Sequence, residues 1–100
     1  MGSGDAGLGK KILGTFFHTL ATLDPKPEAI VFYNAGVRLL APSSPHLDAL
    51  RALDDQGIEL LACVTCLEFF GLVGEIAAGR VTNMREIVQQ MLGAGKVVTL

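Results

Sequence analysis

Charge is scarce in this 100-residue chain: only 18% of the residues are Asp, Glu, Lys or Arg, and they sum to a formal −2. With a pI near 5.5, no basic stripe exists to displace counterions from phosphate, which argues against a nucleic-acid partner. No apolar run approaches the ~20 residues needed to cross a bilayer, so no membrane role is expected. The opening Met1-Gly2-Ser3-Gly4-Asp5 lacks the basic-then-apolar order of a signal peptide, and the chain reads as cytoplasmic. Cysteine is limited to two residues, which does not suit the disulfide framework of a small secreted domain. Internal repeats, low-complexity tracts and charge blocks are lacking as well.

What is abundant is apolar surface. Half of the residues are hydrophobic, and the mean hydropathy is +0.46, the opposite of a disordered composition. The length suits one domain, residues 1–100, which buries roughly two-thirds of the surface its unfolded chain exposes. So few charges cannot cover the remainder. Part of it is expected to be buried against a partner, most simply a second copy.

Leu8, Ile12, Phe16 and Leu20, with Leu13 and Phe17 beside them, form one wide helix face from about Gly7 to Leu23. Asp24-Pro25-Lys26-Pro27 ends it. Ala29-Ile30-Val31-Phe32-Tyr33 is short, wholly apolar and rich in β-branched and aromatic residues, as in a strand buried on both faces. Asn34-Ala35-Gly36 comes next as a turn, and Val37 to Leu40 as an irregular or extended stretch. Ser43-Ser44-Pro45 opens a second helix with Leu47, Leu50 and Leu53 inward, and Gly57 closes it. Ile58 to Ala62 reads as a second buried strand, Leu67 to Leu72 as a short helix, and Gly74 to Arg80 as ambiguous. Asn83 with Glu86 fits a capping box for a helix lined by Met84, Ile87, Val88, Met91 and Leu92, and Lys96 to Leu100 forms a last strand. The order αβαβααβ predicts a layered α/β fold with a mainly parallel sheet.

Chemistry concentrates at Cys63-Val64-Thr65-Cys66, where a buried strand gives way to a helix. Parallel sheets bind ligands outside the carboxyl ends of their strands, and the free N–H groups of a helix start favour an anion. A thiolate there can have its pKa lowered from about 8.5 to roughly 3.5–7.5. Cys66 is thus the candidate nucleophile and Cys63 the resolving or relay thiol. Asn34, Gly36 and Thr65 fall on the same rim and are candidate substrate contacts, although Asn34 and Gly36 are equally explained as turn formers. The bland reading is two inert, buried cysteines acting as small hydrophobes. A closed zinc site needs four ligands, and only His18 and His46 could add nitrogen, each on a different predicted helix. No metal is therefore expected. His18 reads as structural, His46 as part of a solvated helix start, and Ser43 and Ser44 as caps.

The segments Phe32 to Val37, Cys63 to Leu72, Val81 to Met84 and Lys96 to Leu100 together resemble the DsrE-like domain of the YedF family, described as sulfurtransferase-like selenium metabolism proteins. The resemblance implies a three-layer DsrE/DsrF-like fold of flavodoxin-like layout. It further implies a cytoplasmic protein that relays sulfane sulfur on a cysteine, assembled as a trimer or hexamer, with a sulfur donor or acceptor such as a TusA-like protein. The family's cysteine pair falls on Cys63 and Cys66. The family's domain begins with a strand just before the segment matched by Gly2 to Asp5, so this sheet is expected to be one strand short. No TusA-like segment is matched.

The first expectation is therefore a persulfide carrier or sulfurtransferase, a reaction that needs no metal or organic cofactor. The alternative is a non-catalytic assembly module with structural cysteines. A thioredoxin-type redox protein ranks below both, because the order of elements and a proline-containing motif are missing.

Overall fold

The computed structural model describes residues 6–23, 27–93 and 97–100. Asp24, Pro25 and Lys26, where the first helix is expected to stop, the opening Gly2 to Asp5, and Lys96 of the expected last strand lie outside the described residues. The elements are α1 (Ala6–Thr22), β1 (Ala29–Phe32), a 3-10 helix (Asn34–Leu40), α2 (Leu47–Asp55), β2 (Glu59–Cys63), α3 (Val64–Phe69), β3 (Arg80–Thr82), α4 (Met84–Gly93) and β4 (Val97–Thr99). The strands form a four-stranded sheet in the order β3-β2-β1-β4, and every neighbouring pair is parallel. The expected mainly parallel α/β sheet is thus present, unbroken across its described strands.

Alternation along the central strands assigns their two faces. Ile30 and Phe32 of β1 and Leu60 and Ala62 of β2 join a core with Leu13 and Phe17 of α1 and Leu50 and Leu53 of α2. Ala29 and Val31, with Leu61 and Cys63, face the other way onto Ile87 of α4. All four residues of β1 are buried, so this strand has no polar face. That explains why it reads as a continuous apolar run. Ile30, Val31 and Phe32 each contribute about 1.5–3 kcal/mol on leaving water.

Several sequence expectations change. β3 falls at the end of the stretch that reads as ambiguous: Arg80 pairs with Leu61 and Thr82 with Cys63, and only Thr82 of the three is buried. An exposed edge strand of this length carries no hydrophobic signature. The segment after Asn34 is helical rather than extended. The second helix starts at Leu47, and its N-cap His46 makes no side-chain cap bond. Instead, the His46 backbone N–H donates to Ser44 Oγ at 3.2 Å. The wide apolar face of α1 is only partly used: Leu13 and Phe17 are buried, Phe16 and Leu20 pack at the margin, and Leu8 and Ile12 are exposed. On α4 only Ile87 is buried, while Met84, Val88, Met91 and Leu92 are exposed. The periodicity finds each apolar arc correctly, but a single sheet face cannot cover an arc that wide.

The cap of α4 forms as expected on one side: the Glu86 N–H donates to Asn83 Oδ1 at 2.9 Å. The Glu86 carboxylate is engaged elsewhere. Arg80 Nη1 and Nη2 donate to its two oxygens at 2.7 and 2.9 Å, and the Thr82 hydroxyl donates to Oε1. These bonds hold the Glu86 carboxyl at about 2, well below its ordinary 4.5. A depressed carboxyl contributes stability that is fully present above its unfolded pKa and is lost as pH falls through the folded one. The melting temperature is therefore expected to drop between pH 4.5 and pH 2, and Glu86→Gln is expected to flatten that part of the profile. Parallel thermal melts of the two proteins check this. Superimposable acid limbs would contradict it. The effect is modest because the pair is solvent-exposed.

Candidate functional site

β2 ends at Cys63, which caps α3 in an extended conformation, so both cysteines lie at the carboxyl end of the sheet. Cys63 is 3% exposed, held in the core face under α4. Cys66, one turn into α3, is half-buried and touches both faces' cores. Neither forms a disulfide.

Asn34 is the link from β1. Its φ of +46° is left-handed, a conformation that asparagine tolerates better than most residues. The chain turns there from strand into 3-10 helix, and the Asn34 N–H donates to Cys66 Sγ at 3.2 Å. Asn34 thus makes the turn expected of it, and the same turn brings its N–H onto the Cys66 sulfur. Gly36 is required by closeness: a Cβ there would lie 2.5 Å from the Leu100 carbonyl oxygen. Thr65 is exposed on α3, beside Cys66 in sequence.

The expected lowering of the Cys66 pKa is reversed. Burial pushes the thiol up. The Asn34 N–H pulls it down, and neighbouring Cys63 raises it again through a hydrogen bond and its charge. Burial and Cys63 together outweigh the single Asn34 donor, and α3, which spans only Val64–Phe69, is too short to add much dipole. Removing the Cys63 thiol should relieve two of these upward pushes. Cys63→Ala is expected to alkylate faster at Cys66 near neutral pH than the wild type. The pH dependence of iodoacetamide labelling checks this, and an unchanged or upward-shifted profile would contradict it.

Sequence reasoning missed two residues. Tyr33 is half-buried beside the thiols, and its hydroxyl donates to Met91 Sδ at 4.0 Å. Its pKa is raised by burial first, then by the charges of Cys63 and Cys66. Its adjacency to Asn34 was the available signal. His46, expected on a solvated helix start, is 8% exposed. Its ring lies edge-on to Phe17, with centroids 5.6 Å apart. Burial, and secondarily the Lys10 charge, lower its pKa, so the ring is held neutral. His18, by contrast, is exposed. Among the described residues no three His, Cys, Asp or Glu side chains converge as a metal site would require. No described helix is long and apolar enough to cross a membrane.

In the order β3-β2-β1-β4 the connection reverses direction between β1 and β4, and ligands of open α/β sheets bind outside the strand ends at such a point. A crevice of about 740 Å³ opens there, walled by Gly9, Lys10 and Leu13 of α1, by Asn34 and Arg38 of the 3-10 helix, and by Ser43 to His46.

The family model of the DsrE/DsrF-like family matches residues 6–100. The chain belongs to the DsrE/DsrF-like family. No curated protein and no solved structure shows significant similarity to it. DsrE/DsrF-like proteins are associated with sulfur relay and are often oligomeric. In this DsrE/DsrF-like chain, the rim of a parallel sheet brings together one half-buried thiol, a backbone donor on its sulfur and a second, buried thiol.

Proposed function

We propose that this protein is a cytoplasmic persulfide carrier of the sulfurtransferase type, with Cys66 as the acceptor thiol and Cys63 as the resolving thiol. The observation that supports this most is the Asn34 N–H on Cys66 Sγ at 3.2 Å, a preset donor for a sulfur that becomes negative. In the reaction, the Cys66 thiolate attacks the outer sulfur of a donor R–S–SH. The new Cys66 S–S bond forms as the donor's S–S bond breaks, leaving Cys66–S–SH and R–S⁻, which takes up the proton that Cys66 released. No electrons are gained or lost overall, and no cofactor is needed. Because the thiol is pushed up, the thiolate fraction limits the rate at neutral pH. The attacking sulfur is correspondingly more nucleophilic.

Asn34 and Gly36 would line the sulfur's approach, and Thr65 its exposed side. Phe69, 84% exposed one turn beyond Cys66, offers an apolar foothold for a donor or acceptor protein of TusA-like type. The exposed apolar arcs of α1 and α4 suit a homo-oligomer, a trimer or hexamer as the resemblance implies. The resemblance to the YedF branch adds selenium metabolism as the setting.

Two steps test this. The protein is loaded with polysulfide, desalted and mixed with a small acceptor thiol, and the sulfur released is measured. Wild type is expected to release about one sulfur per chain, and Cys66→Ala none. Equal release from both would overturn the proposal. A second reading, an assembly module whose cysteines only pack, is favoured by the raised Cys66 pKa and by the exposed apolar arcs. It predicts no release from either protein, with oligomerisation unaffected by Cys66→Ala.

A further inference from the structure

The crevice at the β1/β4 switch point has features that a sulfur site alone does not explain. Lys10 on α1 and Arg38 on the 3-10 helix both line it, and neither has an acidic partner among the described residues. The described lining contains no Asp or Glu, although acidic residues outnumber basic ones, 10 to 8, in the chain. Arg38 is held in place, its guanidinium 5.4 Å above the centre of the Phe70 ring. His46 lines the same space, nine-tenths buried, and its ring nitrogens have no hydrogen-bond partner in the protein among the described residues. Since no buried side-chain nitrogen is left unsatisfied among the described residues, those nitrogens are not sealed from solvent, and His46 stands in the crevice wall. Buried polar groups are ordinarily paired, so a neutral imidazole opening onto a cavity is suited to hydrogen-bonding a ligand. Leu13 and Leu39 add apolar wall, and the main-chain carbonyl of Leu100 lies beside Gly36.

The volume decides the size of that ligand. A crevice of about 740 Å³ is in the ~300–1,000 Å³ range of small-molecule sites, and a bare inorganic oxyanion would leave most of it empty. Asn34 is common to the crevice wall and to the Cys66 sulfur.

We propose that this crevice binds a low-molecular-weight organic thiol bearing carboxylate or phosphate groups, its anionic ends held by Lys10 and Arg38 and its polar body by His46. Resting on the persulfide reading, this molecule is the R–S–SH donor, or the R–SH acceptor in the reverse direction. The sulfur donor is then a diffusible small molecule, and a protein donor is not required.

Binding is measured with probes that cannot transfer sulfur: S-methylglutathione for carboxylates and S-methyl-coenzyme A for phosphates, by calorimetry and by NMR of the labelled chain. At least one probe is expected to bind, shifting the amides of Gly36 and His46, and the better binder identifies the anionic group. Lys10→Glu is expected to weaken binding at least about tenfold, and Arg38→Ala about tenfold, the loss of a charge-assisted hydrogen bond. Lys10 is exposed, so its replacement leaves the core intact. Cys66→Ser is expected to bind like the wild type. Absence of binding by both probes, or binding insensitive to Lys10→Glu, would overturn the proposal. If sulfur loads onto Cys66 from polysulfide but neither probe binds, only this inference fails. If a probe binds in a Lys10-dependent way but Cys66 takes up no sulfur, the persulfide reading fails and the anion site stands.

Discussion

Phe17→Ala is expected to lower the unfolding free energy by about 3–5 kcal/mol, the range for emptying a buried phenylalanine site. Phe17 is fully buried, and its ring meets Phe16 edge-on at 5.6 Å and His46 at 5.6 Å. The cavity left behind would lie between α1, the sheet and the start of α2, where few side chains can collapse into it. Domains of this size have about 5–15 kcal/mol in total, so the variant is expected to sit near the edge of folding. Urea denaturation followed by circular dichroism gives the number. A loss below about 1 kcal/mol would show that the site repacks freely, contrary to the packing described. The same substitution frees the His46 ring, so crevice binding by the variant is expected to weaken even where it remains folded.

Gly79→Ala is the second large loss, by a different route. Gly79 leads into β3 with φ at +75°, and an added Cβ would lie 2.8 Å from the Leu60 carbonyl oxygen and 2.9 Å from its Cβ. The left-handed backbone costs an alanine about 1–2 kcal/mol. Pushing against β2, the strand beside it, adds about 1–3 kcal/mol. Together those two ranges give a total of about 2–5 kcal/mol. Gly74→Ala separates the two contributions, because Gly74 also has a positive φ, +80°, but a Cβ there meets nothing within 4 Å. It is expected to lose only the backbone part. Equal losses for the two variants would mean that contact with Leu60 carries no weight. The loop that Gly79 ends is already fixed at Ala77, whose N–H donates to the Leu40 carbonyl at 2.7 Å and whose carbonyl accepts from Arg51 at 3.3 and 3.4 Å. Displacement of β3 therefore has little slack to absorb it.

The parts of this fold that were legible in the sequence are those written in burial. β1 and β2 are apolar runs because both of their faces are covered, and a run of that length with β-branched residues has few other readings. The Asn83 cap was legible because its hydrogen bond is local. β3 was not, since Arg80 and Val81 are exposed and the strand is defined by pairing with β2, a partner about twenty residues away. The 3-10 helix after Asn34 was missed for a related reason. A turn and a tight helix begin with the same residues, and the path of the chain beyond Gly36 is decided by the packing of Val37 and Leu40 into the core. At the site, the position of Cys66 at the sheet's rim was readable from the strand-to-helix change. Its acidity was not, because desolvation depends on the atoms around the sulfur. His46 was misplaced because helix starts are usually wet. Here its ring packs edge-on against Phe17 of α1 and beside Gly14, where even an added Cβ would stand in ordinary contact at 3.6 Å.

Persulfide transfer requires that the sulfur of Cys66 be reachable and become nucleophilic when deprotonated. Brief treatment of the wild-type protein with polysulfide, then alkylation and peptide mapping by mass spectrometry, locates any added sulfur directly. One extra sulfur is expected on the peptide carrying Cys66, formed faster as pH rises from neutral to alkaline, because its thiol is held above the ordinary value. Sulfur found only on Cys63, or no sulfur at Cys66 at any pH at which the protein stays folded, would contradict the proposed role.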